Sequence, residues 1–247
     1  HRWYSFLKMQ KKVAPCIKRI ITPSKSSKKG IVDEFNCNKA NITVINNGLD
    51  TNEFSPVNEV KRNEYRLITT ASADVPLKGL DFSLKALKKL KKDFPNIHLI
   101  VIGLIKKGGH TEKLIRKLGL ENDVTFKSNL TKNEIKDCYS KSSIAIVSSL
   151  YEGFGYPVIE AMSCEIPLIA TNVSSIPELT SEFAKLVDPK NEEMIYQSVK
   201  DILSEYDKYK KIAIKGRQHV IKNFNWIKIT DEYENAIFET IKNYEKC

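Results

Sequence analysis

Between residues 66 and 187, short β-branched runs alternate with longer segments whose apolar residues recur at helical spacing, and few folds accommodate such an order. Runs at 66–70, 97–102, 124–126, 143–149 and 166–170, with a shorter one near Leu186 and Val187, have the length and composition of strands. After the first of them, Leu80, Leu84, Leu87, Leu90 and Phe94 form the apolar stripe of a helix whose other face carries lysines. Further helices are expected through Leu114 and Leu118, over 131–139, from Pro157 at a first helical position, and through Ile195, Val199 and Ile202. Thr131 with Glu134 makes a capping box, and Asn191 is placed to cap the last of these helices. Repeated strand–helix units predict an α/β fold with a Rossmann-like, doubly wound parallel sheet. Ligands of such sheets bind beyond the carboxyl ends of the strands. Here those ends carry residues 72–78, Gly103, 127–129, a loop beginning at Glu152, and 171–176.

Composition narrows the class. The chain has 247 residues, 41% of them hydrophobic, which is enough for a folded core. No apolar run approaches the ~20 residues of a membrane span, and the first residues carry no secretory signal pattern. The chain starts at His1 rather than Met, which reads as a start inside a longer product. Five cysteines, odd in number and without a Cys-x-x-Cys pair, argue against a disulfide framework and a zinc site and fit a reducing cytosol. The formal charge of +10 is spread over helices such as 85–92 and 208–222. That distribution fits solvated helix faces, with attraction of nucleic acid, anionic lipid or phosphorylated substrates as the alternative. The glycines at 103, 108 and 109 invite a P-loop comparison, but Gly109 and His110 stand where Lys and Ser/Thr are required. No Asp-x-Asp pair offers to hold a metal-bound diphosphate, and no metal or cofactor is expected.

Residues 152–160 carry the chemistry. Glu152 and Glu160 are joined through Gly153, Phe154, Gly155, Tyr156 and Pro157, a loop that leaves a strand and enters a helix. Amide groups at a helix start lack internal partners and carry the positive end of the dipole, so they can receive an anion. Gly153 and Gly155 let a ligand approach the main chain. Glu160 lies one turn into the helix, where the dipole favours a carboxylate by only about 0.3–1 kcal/mol. Glu152 precedes the helix, where its oxygens can accept paired hydrogen bonds from vicinal hydroxyls. Alone, either acid reads as a solvated helix-start residue; with the glycines they suit a site for a sugar and a phosphate together. Lys78 is the basic group on the same rim with a clear task, because a charge-assisted hydrogen bond is worth about 1.5–3 kcal/mol. A plain surface lysine at a helix entry is the other reading of its position.

The run from Ser148 through Glu152, Gly153, Phe154, Gly155, Tyr156, Pro157, Val158, Ile159 and Glu160 to Pro167 and Thr171 resembles the Glu-x7-Glu motif of the retaining glycosyltransferases of the sucrose-synthase-like family, group 1. These enzymes have the two-domain GT-B fold, and the resemblance extends over most of the chain. It implies that Glu160 binds the ribose of a nucleotide, that Glu152 contacts the donor sugar, and that the amides around Phe154, Gly155 and Tyr156 face the donor. It also implies a donor-phosphate role for Lys78, which precedes Gly79 as in the family, and a donor-binding rim that includes Ser72, Gly103 and Lys127. Lys78 and Glu152 are the implied catalytic residues. Two departures stand out. The family's Gly-Arg pair before the lysine is replaced by Ser72 and Ala73, and a glycine pair is replaced by Ser174 and Ser175, hydroxyls suited to contact a sugar or to cap a helix.

The first 56 residues read as a helix carrying Trp3, Phe6, Leu7 and Val13, a strand at 19–22, a polar helix near 26–35, a strand at 42–45 and a turn around Gly48. They resemble the last βα unit of the family's amino-terminal, acceptor-binding domain and its linker, a remnant of that domain. Residues 57–225 are then the nucleotide-sugar domain, and 226–247 the final helix that crosses back. The implied function is the donor-binding portion of a nucleoside-diphosphate-sugar-dependent glycosyltransferase, incomplete for catalysis without the missing amino-terminal domain. Its implied partners are a nucleotide sugar and an unidentified sugar, lipid or polysaccharide acceptor, with no nucleic acid. The expected location is the cytoplasm, with peripheral contact at the inner face of the membrane also open. The rivals are another GT-B enzyme, such as a nucleotide-sugar epimerase or a phosphorylase, and a non-catalytic domain that associates with membranes or a partner through its basic helices.

Overall fold

The computed structural model describes residues 2–57, 60–72 and 74–244; His1, Ala73 and Cys247, which entered the sequence analysis, lie outside the described residues. Helix α1 (Arg2–Val13) leads to strand β1 (Ile20–Thr22), helix α2 (Lys25–Phe35) and strand β2 (Ile42–Val44). β1 and β2 pair in parallel as a two-stranded sheet of their own, with Ile20 opposite Ile42. Ser24 caps α2 through its side chain, and Asn36 ends the helix in a left-handed conformation.

The alternation from residue 66 onward becomes a six-stranded parallel sheet. Its strands are β3 (Asn63–Thr70), β4 (His98–Ile102), β5 (Val124–Lys127), β6 (Ser142–Val147), β7 (Leu168–Thr171) and β8 (Lys185–Val187), arranged β5-β4-β3-β6-β7-β8. The helices between them are α3 (Leu80–Asp93), α4 (His110–Leu118), α5 (Lys132–Ser140), α6 (Tyr156–Ser163) and α7 (Ile176–Thr180), followed by α8 (Glu192–Ser204), α9 (Tyr206–Phe224) and α10 (Trp226–Tyr244). Within the strands, successive residues enter opposite cores. Leu67, Leu99, Val101, Ile144 and Ile146 pack with α3, α4 and α8, whereas Ile68, Ile100, Ile102, Ala145 and Val147 pack with α5, α6 and α9.

The expected stripe of α3 is buried: Leu80, Leu84, Leu87 and Leu90 are each no more than 4% exposed. Its lysine face is not wholly solvated, because Lys89 pairs with Glu193 and Lys91 with Asp123. Thr131 and Glu134 form the capping box of α5, and the Asn191 side chain accepts the Met194 N–H at the start of α8. α6 starts one residue earlier than expected, so Pro157 is its second position, still one whose missing N–H costs the helix nothing.

The strand order decides where a ligand can bind. The chain winds outward from β3 to β5, returns to lay β6 against β3, and winds outward the other way. That is the Rossmann order, with its switch point between β3 and β6. The loops leaving these two strands contain Lys78 and Glu152.

α9 and α10 meet at Asn225, which bridges to Leu49, and Gly48 has its backbone against the Trp226 ring, where no side chain would fit. α10 then runs back along the small sheet, and Ile237 and Ile241 line a groove with Ile20, Ile21 and Thr43. Arg217 of α9 holds the connecting segment by donating to the carbonyls of Thr51 and Phe54. No described helix is long and apolar enough to cross a membrane.

Candidate functional site

The loop after β3 is stitched to the end of β6. Leu150 N–H donates to Leu77 O at 2.7 Å, and the Ser148 hydroxyl lies 3.0 Å from Gly79 O. Gly79 has φ +62°, and a Cβ there would overlap the Ser148 carbonyl, so only glycine lets Lys78 come this close to the switch point. Asp74 anchors the other end of this loop: its carboxylate accepts Thr111 N–H at 2.7 Å at the start of α4, and that hydrogen bond holds its carboxyl below the usual range.

Lys78 and Glu152, 74 positions apart in sequence, form an ion pair at 2.8 Å (Nζ to Oε1). The Glu152 side chain is 10% exposed and that of Lys78 30%, so the pair is partly withdrawn from solvent. Ser149 Oγ donates to the same carboxylate oxygen at 2.7 Å. Gly155, at φ +113°, turns the chain back against Glu152: a Cβ at Gly155 would stand 3.9 Å from Glu152 Cβ. Lys78, Glu152 and the start of α6 therefore share one corner of the rim.

Hydroxyl groups hold the main chain of this loop. Ser174 Oγ accepts Glu152 N–H at 2.8 Å, and Ser175 Oγ reaches the carbonyls of both Glu152 and Phe154. Ser24 and Ser27, from the start of α2, donate to Gly153 O at 2.7 and 2.9 Å. In a trans peptide the N–H points opposite to the preceding C=O. With three successive carbonyls held by serines, the N–H groups of Gly153, Phe154 and Gly155 are turned away from those serines. They have no hydrogen-bond partner among the described residues. Unpaired successive amides beside a cation form a receptor for an anionic or strongly accepting group. Ser174 and Ser175, expected to meet a sugar or cap a helix, instead brace this loop; Ser175 makes no side-chain capping bond to α7.

Glu160 faces a different wall. Its Oε2 accepts the phenolic hydroxyl of the fully buried Tyr139 at 3.1 Å, and that hydroxyl lies 3.2 Å from Thr70 Oγ1 at the end of β3. Burial pushes the Glu160 carboxyl up to about 6, against the opposing effect of the Tyr139 hydrogen bond. Burial, then the nearby Glu160 charge, raise the Tyr139 and Tyr156 hydroxyls. Phe154 is buried and stacks edge-on between Tyr156 and Phe224, with ring centroids 5.5 and 6.1 Å away.

The other rim residues are more peripheral. Ser72 is exposed just past β3, and Gly103 follows β4, donating its N–H to Lys127 O at 2.8 Å. Lys127 ends the edge strand β5, beside the Cys138 thiol, and no hydrogen bond or ion pair links it to Lys78 or Glu152 among the described residues. No cluster of three or more His, Cys, Asp or Glu suited to a metal ion occurs among the described residues. The residues missed from sequence are the braces: Ser24, Ser27, Ser149 and Tyr139. Ordinary serines in ordinary spacings carry no signal, though the two hydroxyls at 174 and 175 stood out as a departure from the family pattern.

Comparison with known proteins gives the family and the fold. Residues 51–219 match the family model described as glycosyl transferases group 1. The whole chain is similar to an MMP alpha-(1->4)-mannosyltransferase of Mycolicibacterium hassiacum, at 32% identity, and spans 58% of that relative's length. A glycosyltransferase structure from Rickettsia africae superposes over 97% of this chain and 68% of its own, with TM-score 0.81 and 25% identity. Anabaena HepE, solved with UDP and glucose, shares the fold at TM-score 0.85 and 20% identity, over 95% of this chain and 67% of its own. The switch-point loops, the parallel sheet and the matched span lead to one conclusion: the chain belongs to the glycosyl transferases group 1, on the GT-B fold.

Proposed function

We propose that the chain is the donor-binding part of a retaining, metal-independent glycosyltransferase that moves a sugar from a nucleoside-diphosphate sugar to a sugar, lipid or polysaccharide acceptor. The observation that carries this is the Lys78–Glu152 pair beside three unpaired loop amides at the β3/β6 switch point. A leaving diphosphate needs a cation and fixed dipoles where its charge develops, and Lys78 with the loop amides supplies both. Glu152 exchanges part of its bond to Lys78 for donor-sugar hydroxyls and so orients the sugar. Glu160, held by Tyr139, takes the ribose hydroxyls, and Ser72, Gly103 and Lys127 complete the rim on the nucleotide side. Retention and metal independence rest on the family resemblance and on Lys78 taking the role a metal ion would otherwise fill.

In this reading residues 57–225 are the donor domain, whereas 1–56 and 226–247 belong with the acceptor-binding half. The separate β1–β2 sheet and the return of α10 along it support that division. The isolated chain is expected to bind a nucleotide sugar and to transfer it poorly. The test is a thermal-shift panel of nucleoside-diphosphate sugars, GDP-mannose and UDP-glucose among them, since a ligand of the folded state raises its melting point. A rise for at least one donor is expected, and no rise for any at millimolar concentration refutes the assignment. Conversion of a bound donor with no acceptor present would replace transfer by epimerisation.

A further inference from the structure

Helix α2 is held in place by a residue about 150 positions away. Its first turn contains no acid and begins with Lys25, while Asp33 and Glu34 lie toward its end, so its own charges oppose the helix dipole. None of its residues is fully buried; Ile31, Val32 and Phe35 are half-buried, and Lys28 Nζ donates to Ile42 O from the middle of the helix. Glu178, in α7, supplies what the helix lacks: Oε2 accepts Lys25 N–H at 3.0 Å and Oε1 accepts Ser26 N–H at 3.1 Å. Both carboxylate oxygens thus satisfy amides that a helix start leaves open. In the same turn, Ser24 is fully buried, accepts Ser27 N–H at 2.9 Å, and donates to Gly153 O, as does Ser27.

We propose that Glu178 is a positioning residue for the donor loop: by gripping the first turn of α2 it keeps Ser24 and Ser27 on the Gly153 carbonyl, coupling the amino-terminal segment to the geometry of residues 152–155. The inference rests on the reading of that loop as the donor site, and it adds a regulation of that site. Movement of α2 away from α7 removes both hydroxyls from Gly153 O at once and frees the peptide that presents the Phe154 N–H. The loop is held in its receptive form only while the amino-terminal segment is docked.

Hydrogen exchange on the full chain without ligand tests this, read within 152–158 at the amides of Glu152 and Val158, which are bonded to Ser174 Oγ and Gly155 O, with the α8 peptide over 192–204 as control. For Glu178→Ala, exchange at 152–158 is expected to quicken at least tenfold with the control unchanged. A Ser24→Ala/Ser27→Ala double variant should do the same, and adding Glu178→Ala to it should change nothing further, because both act through one carbonyl. Equal acceleration of the control, unchanged exchange at 152–158, or a triple variant whose effect is the product of the two, overturns the proposal. Should Glu178→Ala not fold, Ser27→Ala alone decides: a threefold or greater acceleration confined to the loop supports the coupling, and none overturns it. Calorimetry on the same variants is expected to show at least fivefold weaker nucleotide-sugar binding. A wild-type chain that binds no nucleotide sugar sinks the donor-site reading and leaves the exchange test of the coupling intact.

Discussion

Replacing Lys78 by alanine should harm the protein twice, once in stability and once in binding. The ion pair with Glu152 measures 2.8 Å, with side chains 30% and 10% exposed. Breaking a fully buried pair costs about 3–5 kcal/mol, whereas exposed pairs contribute about 0–1 kcal/mol. A pair whose cation is one-third exposed falls between, so Lys78→Ala should destabilise by about 1–3 kcal/mol. The loss is asymmetric. Lys78→Ala strands the more buried carboxylate with only the Ser149 hydroxyl as side-chain donor, while Glu152→Gln leaves an ammonium that water reaches. Glu152→Gln should therefore cost less, about 1 kcal/mol or below. Urea unfolding of both single variants and the double variant, at constant m, reads these values and their coupling. In calorimetry Lys78→Ala should also weaken nucleoside-diphosphate binding more than tenfold, about 1.4 kcal/mol. A Lys78→Ala protein within about 0.5 kcal/mol of wild type, with no coupling to Glu152 and unchanged diphosphate affinity, would refute both the energetics and the role.

Four further outcomes are expected. Burial raises the folded-state pKa of Glu160 from 4.5 to about 6, so the native state binds more protons than the unfolded one in that window. Stability should then fall as pH rises from 4.5 to 6 and level off above, by a total of about 2 kcal/mol, and urea titrations of Glu160→Gln should lack this slope. Hydroxyls that donate to Glu160 favour its ionised form, so calorimetric affinity for a nucleotide sugar should decline below pH 6 and the decline should vanish in Glu160→Gln. Gly79→Ala places a Cβ on the Ser148 carbonyl at a left-handed φ, and it should lower stability by about 1–3 kcal/mol and abolish donor-induced thermal shift. Chelation by EDTA should leave donor binding unchanged; a loss restored by a divalent cation would reassign the diphosphate charge from Lys78 to a metal.

Local chemistry was legible from the chain. β-Branched runs, the leucine stripe of α3, the Thr131 capping box and the Asn191 cap all depend on neighbours within a few residues, and each is present. The strand–loop–helix around Glu152 was legible for the same reason. Less could be read where a residue's meaning depends on a distant partner. The lysines of α3 read as a solvated face until α8 placed Glu193 beside them, and Ser174 and Ser175 read as sugar contacts or caps until the Glu152 loop folded over them.

By itself, the amino-acid order determined the alternating units, and with them a parallel sheet whose carboxyl rim holds the glycines, Lys78, Glu152 and Glu160. Tertiary structure alone decided that β6 lies against β3, which sets Lys78 on Glu152, and that α7 meets α2, which sets Glu178 on Lys25 and Ser26. The physical reason is range. Secondary structure and capping arise from groups a turn or a pleat apart, while an ion pair or a hydroxyl brace forms between any two segments that the buried cores press together.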